Sequence, residues 1–230
     1  MPSKRYRKAL ALVDAGKSYP LKAAVELLAK MPRAKFNETL DLAFRLGVDP
    51  RQSDQMVRGT VPLPHGSGKT VRVLVFAKPG AAADAARQAG AEFVGFDDMI
   101  KKCTDGWTDF DIAVATPEAM VEVRKLGKVL GPRGLMPNPK TGTVTDDTAK
   151  AVREFKAGRV EFKVDKTANL HVAIGKVSFT PEQIEENARA VFEAVLKAKP
   201  GSAKGIFIRN CALSSTMGPA IRIDARDIAH

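Results

Sequence analysis

Two rhythms of hydrophobicity run along this chain, and they do not mix. At both ends apolar residues recur at every second position. Leu40, Leu42, Phe44 and Leu46 alternate with Thr39, Asp41, Ala43 and Arg45, and Val160, Phe162 and Val164 alternate with Glu161, Lys163 and Asp165. A period of two marks strands with one face buried and the other in water. Between the ends, the apolar runs "VRVLVFA", "AEFVGF" and "DFDIAVAT" are separated by the helical stretches "GAAADAARQAG" and "DDMIKK", and "PEAMVEVRKLG" follows the last. Short, continuously apolar strands joined through helices call for parallel pairing by right-handed crossovers with both faces covered. The middle is therefore expected to be a small three-layer, Rossmann-like α/β domain.

The ends predict an α+β sandwich. Further strands are read in "NLHVAIG", "GIFIRNCAL" and "PAIRID", and a long helix in "TPEQIEENARAVFEAVLKAK". That helix puts Ile184, Ala188, Val191, Phe192 and Val195 on one stripe, with Thr180 as cap and Pro181 in its first turn. Helices covering one sheet face leave polar and basic strand residues exposed on the other. Charge divides the chain at the same places. Residues 1–66 hold 12 Lys/Arg against 6 Asp/Glu, residues 67–157 hold 14 against 12, and residues 158–230 hold 11 against 8. Two basic ends around a nearly neutral middle are expected to form one discontinuous domain of 1–66 and 158–230, interrupted by an inserted domain of 67–157.

A net charge of +11 on a chain that is 44% hydrophobic describes a globular protein with a polyanionic partner. The longest early apolar run, "ALALV", is too short for a signal peptide core, and no stretch approaches a transmembrane span. The reading is cytoplasmic, without a membrane partner. Cys103 and Cys211 lack Cys-x-x-Cys spacing and sit among apolar neighbours, which favours two buried thiols over a disulfide. The three histidines, His65, His171 and His230, have no metal-ligand spacing, so neither metal nor cofactor is expected.

"PHGSGKT" ends like a phosphate-binding loop, but the pattern needs a glycine where Leu63 stands, and a strand rather than a helix follows it. The stretch reads as a basic connector with Lys69 solvated. Asp109 and Asp111 precede their strand, the wrong end of a parallel sheet for chemistry, and read as solvated loop acids. Two loops keep two readings each. "GPRGLMPNPKTG", Gly131 to Gly142, turns the chain or cradles phosphate, with composition favouring the turn. "SSTMGPAIRI" is a hairpin loop or a close-approach surface whose hydroxyls and amides meet a nucleic-acid backbone. "KRYRK", Lys4 to Lys8, is a solvated amphipathic helix or a phosphate contact.

"KLGKVLGPRGLMPNPKTGTV", "SSTMGP", "AKFNETLDLAFRLGVDPR" and "VRGTVPLPHGSGK" together resemble the bacterial ribosomal protein L-one family, over about Arg5 to Asp224. The resemblance implies no enzyme but a structural ribosomal protein whose split domain binds large-subunit rRNA and builds the mobile side stalk. It also implies that the chain aids release of exit-site tRNA and represses its own operon mRNA through a similar RNA fold. The free chain is expected to be a monomer. Carried over by motif, the RNA-facing residues are Lys35, Phe36, Thr39, Arg45, Asp165, Thr167, Ser214, Thr216, Met217 and Gly218. Position alone would put a strand-start Phe36 in the core, and the resemblance turns it toward RNA. Gly66 and Gly68 at the exit and Gly158 at the return are read as the hinge between domains. The rival readings are a nucleotide-using α/β enzyme, resting on the broken phosphate loop, and a sequence-indifferent DNA binder, resting on charge alone.

Overall fold

The computed structural model describes residues 2–224. The chain forms two compact units, one of Met1–Gly68 with Val160–His230 and one of Lys69–Arg159. Each crossing falls two residues beyond 66/67 and 157/158. At the exit the reason is local. Asn187, fully buried, accepts from the His65 amide (3.1 Å) and donates to the Gly66 carbonyl (3.0 Å) and the Ile174 carbonyl (2.8 Å). Gly68 has φ +67, and a Cβ there would sit 2.8 Å from Lys176 Cγ and 3.0 Å from the Phe179 ring. Gly66 and Gly68 are thus fastened into the first unit.

The first unit contains α1 (Lys4–Leu10), α2 (Leu21–Lys30), β1 (Thr39–Leu46) and β2 (Arg58–Pro62) from the N-terminal part. The C-terminal part supplies β6 (Arg159–Lys163), β7 (Asn169–Lys176), α8 (Pro181–Lys197), β8 (Ile208–Ser215) and β9 (Ile221–Ile223). Its main sheet has the order β7-β1-β8-β9, antiparallel throughout, so a strand from the N-terminal part lies between two from the C-terminal part. A two-stranded sheet pairs β2 with β6. The period-two residues do what the pattern demands, with Leu40, Leu42, Phe44 and Leu46 all buried. They pack with Leu170, Val172, Ile174, Cys211 and Leu213 against Ala24, Val25 and Leu28 of α2 and Ala188, Val191, Phe192 and Val195 of α8. Phe44 meets Phe192 edge-to-face, ring centroids 4.9 Å apart. Thr180 and Gln183 close a capping box at the start of α8. One sheet face is therefore covered and the other left open.

The second unit runs β3 (Val73–Phe76), α3 (Ala81–Gln88), β4 (Phe93–Gly95), α4 (Asp97–Thr104), β5 (Ile112–Ala115), α5 (Pro117–Val123), α6 (Gly127–Leu130) and α7 (Thr148–Lys156). The strands pair in parallel in the order β4-β3-β5. Val73, Val75 and Val114 pack with α3 and α7, and Leu74, Phe76 and Ala113 with α4, α5 and α6, so both faces are covered. The Gly131–Gly142 stretch is a run of turns drawn around Asn138, whose carbonyl accepts from the Thr141 and Thr143 hydroxyls (3.0 and 3.1 Å). Two sequence expectations fail here. Lys69 and Asp111 are not independently solvated, because the Lys69 ammonium donates to Asp111 Oδ1 at 2.6 Å while the Arg72 amide donates to Oδ2 at 3.1 Å. Parallel pairing sets the start of β5 beside the start of β3, which no local sequence pattern reveals. Those bonds, the one from Lys69 foremost, outweigh burial and hold the Asp111 carboxyl below its ordinary value.

Cys103 and Cys211 are free, buried and in different units, and burial raises both thiols above their ordinary value. No helix among the described residues is long and apolar enough to cross a membrane.

Candidate nucleic-acid interface

The open face of the four-stranded sheet carries the outward half of each alternation, Thr39, Asp41, Ala43 and Arg45 on β1 among them. Thr39 and Arg45 lie six residues apart on one strand, about 20 Å along it. The residues singled out in the sequence gather at these two ends.

At the first end the organiser is Glu38, only 2% exposed. Its Oε1 accepts from the Ala34 amide (2.7 Å), and its Oε2 accepts from the Ser215 hydroxyl (2.7 Å) and the Met217 amide (3.0 Å). Arg5 approaches the same carboxylate at 3.7 Å and donates to the Met217 carbonyl (2.9 Å) and the Pro32 carbonyl (3.2 Å). Burial is the largest influence on Glu38 and pushes its carboxyl up. The bonds from Ser215, Ala34 and Met217, with the Arg5 charge, together outweigh it and hold the carboxyl below its ordinary value. One carboxylate thus ties the segment bearing Lys35 and Phe36 to the turn bearing Thr216, Met217 and Gly218. Phe36 is 54% exposed and Met217 51% exposed, two large apolar side chains standing in water on segments fixed to one anchor.

Thr216 and Thr39 are mutual partners. The Thr39 amide donates to Thr216 Oγ1 (3.0 Å), and the Thr216 amide and hydroxyl donate to the Thr39 carbonyl (3.0 and 3.2 Å). Lys176 Nζ donates to Thr39 Oγ1 at 2.7 Å, so a cation lies at this end of the face. Gly218 is required by closeness, since a Cβ there would lie 2.6 Å from the Ser215 hydroxyl that Glu38 holds. Ser214 faces outward, across from Asp41.

At the second end Asp165 closes a tight turn on itself. Its Oδ1 accepts from the Thr167 amide (2.8 Å) and the Asn169 amide (2.7 Å), and the Thr167 hydroxyl reaches Oδ2 at 2.8 Å. The Asn169 amide bond leads the causes that hold this exposed carboxyl below its ordinary value. Ala168 inside the turn takes φ +64, a left-handed conformation that costs a residue with a Cβ. Arg45, exposed, stands between Asn169 on β7 and Asn210 on β8. The structure therefore brings Lys35, Phe36, Thr39 and Ser214 to Gly218 together at one end, and Arg45, Asp165 and Thr167 at the other.

Sequence reasoning missed Glu38, Lys176 and the clamping role of Arg5. The Glu38 partners Ser215 and Met217 lie 177 and 179 positions away, so only an acid just before an alternating strand marked it. Arg5 is committed to Pro32, Glu38 and Met217, a structural role that neither reading of the Lys4 to Lys8 cluster foresaw.

An open, cation-bearing face with a preorganised turn and exposed aromatic and thioether groups suits a polyanion with stackable bases. Residues 27–219 match the model of the ribosomal protein L1p/L10e family. The chain belongs to that family. It is also 54% identical over 226 residues, 98% of this chain and 95% of the other, to the large ribosomal subunit protein uL1 of Protochlamydia amoebophila (strain UWE25). A member of this family is a structural ribosomal protein and not an enzyme, and the lysine of the connector's Gly-Lys-Thr is paired with Asp111.

Proposed function

We propose that the open face of the first unit binds large-subunit rRNA and that the chain forms the mobile side stalk of the large ribosomal subunit. The observation that carries this reading is the Glu38-anchored turn. It fixes the backbone on which Phe36 and Met217 stand exposed, at the end of the face that carries Lys176, so that less ordering remains to be done on binding. Arg45, Asp165 and Thr167 form a second contact about 20 Å along the same face. In this arrangement Phe36 and Met217 stack on unpaired bases, while Lys35 and Arg45 meet phosphates. The Thr216 and Gly218 backbone gives the RNA a close approach.

The chain has two further partners in this reading, the first of them on the same surface. It represses translation of the protein's own operon mRNA by binding a similar fold, and the stalk aids departure of exit-site tRNA. Its motion is assigned to the crossings at Gly68–Lys69 and Gly158–Val160. Gly66 is held by Asn187 and acts as an anchor beside that hinge.

The deciding experiment is binding of the full chain to an rRNA fragment containing the stalk junction. Phe36→Ala and Met217→Ala, both at exposed positions, should each weaken binding about tenfold or more, and Lys69→Ala should leave it unchanged. Equal losses for all three would sink the assignment. An excess of duplex DNA should fail to compete; effective competition would favour charge-driven binding of any nucleic acid.

A further inference from the structure

At the centre of the open face of the four-stranded sheet stands a carboxylate, Asp41, within the field of Lys176 and His171 on the neighbouring strand. Its cross-strand neighbours are small, Ala173 on β7 and Ser214 on β8, and the next pairing along β1 puts Ala43 beside Ala212. Asp41 thus stands in a shallow floor of small side chains, Ala43, Ala173, Ala212 and Ser214, with His171 at its edge beside Ala43. Among the described residues no group donates a hydrogen bond to that acid, although it is half-buried. Burial raises its carboxyl above the ordinary value, more strongly than the charges of His171 and Lys176 lower it. A group whose folded value is raised destabilises the fold wherever it is ionised, at every pH above that value. Asp41 therefore costs stability and satisfies nothing within its own chain.

A phosphate is repelled by such a group. What a carboxylate accepts from RNA is a donor, and the donor pair that matches its two oxygens is the N1–H and N2–H of guanine, side by side on the Watson–Crick edge and free only when the base is unpaired. The alanine floor leaves room for a planar ring to lie on the sheet. We propose that Asp41 reads the Watson–Crick edge of one unpaired guanine in the bound RNA, and so sets which bases settle on the face. This rests on the RNA-binding reading above and adds a residue that determines specificity.

The sign of one substitution tests it. Asp41→Asn keeps the shape and removes a negative charge, so general electrostatics alone would tighten binding to a polyanion. Reading of guanine requires the opposite, a loss of about tenfold or more against the stalk-junction fragment, with an unchanged dependence on salt because no phosphate contact is lost. Inosine, which lacks the N2 amino group, placed at each guanine in turn should weaken binding at one position in the unsubstituted chain and have no further effect there in Asp41→Asn. Thermal unfolding of Asp41→Asn at pH 7 should show an equal or higher midpoint. Tighter or unchanged binding, additive losses at every inosine, coupling to a 2′-deoxy substitution instead, or a lowered midpoint would each overturn the proposal. If the unsubstituted chain does not bind the fragment, the RNA reading itself falls, and this one with it.

Discussion

The two ends of the open sheet face are each built around a carboxylate that accepts backbone amides, and they differ in where the partners come from. Asp165 bonds to Thr167 and Asn169, two and four residues on, in full contact with water. Glu38 is buried and holds Ala34, Ser215 and Met217, so it joins the two termini of the chain. Both carboxyls lie below their ordinary values, for opposite leading reasons. At Asp165 a hydrogen bond leads, whereas at Glu38 burial leads in the unfavourable direction and the bonds together overcome it. A local turn can be remade after any fluctuation. A turn held across the whole chain is present only when the unit is folded, and it is costly to break because a buried charge is left unpaired.

That contrast can be broken most sharply at Glu38. Glu38→Gln places an amide donor against donors, and urea unfolding should show a loss of about 2–4 kcal/mol, with RNA binding weakened as the Met217 turn loosens. The pH dependence has a fixed sign. Because the folded carboxyl is depressed, its contribution is fully present above its ordinary value of 4.5 and is lost as pH falls through the folded value. The substituted chain should therefore lose less stability on acidification than the unsubstituted one, and parallel acid slopes would refute this account.

Gly218→Ala should follow at about 1–3 kcal/mol, since the new methyl meets a Ser215 hydroxyl that Glu38 keeps from moving. In a Ser215→Ala background the penalty should shrink, and a persistent penalty would show that the crowding lies elsewhere. Asp165→Asn keeps one acceptor oxygen in an exposed turn and should cost only about 0.5–1 kcal/mol by the same measurement. A cost equal to that of Glu38→Gln would abolish the distinction between the two ends. The smallest effect is expected within the Asp165 turn. Ala168→Gly relieves a left-handed alanine by roughly 1–2 kcal/mol but removes a buried methyl worth about 0.8, so thermal melting should show a small net gain.

How much was legible in the sequence follows the same division between local and distant. The strand read from Leu40 to Leu46 is a strand, the one read from Val160 to Val164 runs from Arg159 to Lys163, and the Thr180 cap sits where its residue type placed it. The "SSTMGP" stretch ends β8 at Ser215 and then turns through Thr216, Met217 and Gly218 toward β9, the hairpin connection it suggested. The ion pair of Lys69 with Asp111, the Asn187 clamp on the Gly66 loop and the unpartnered Asp41 were not legible.

The sequence by itself determined which residues face the core, because a period of two or of 3.6 is a property of neighbours along the chain and survives in any fold that buries the apolar side. It determined equally that the middle strands need covering on both faces. Only the tertiary structure decided that Glu38, an ordinary acid before a strand, would meet Ser215 and Met217. It likewise decided that Gly218 must lack a side chain and that Asp41 would face outward without a donor. Those outcomes depend on the antiparallel pairing of β1 with β8 across more than half the chain, and no pattern among adjacent residues encodes which distant strand arrives, or in which register.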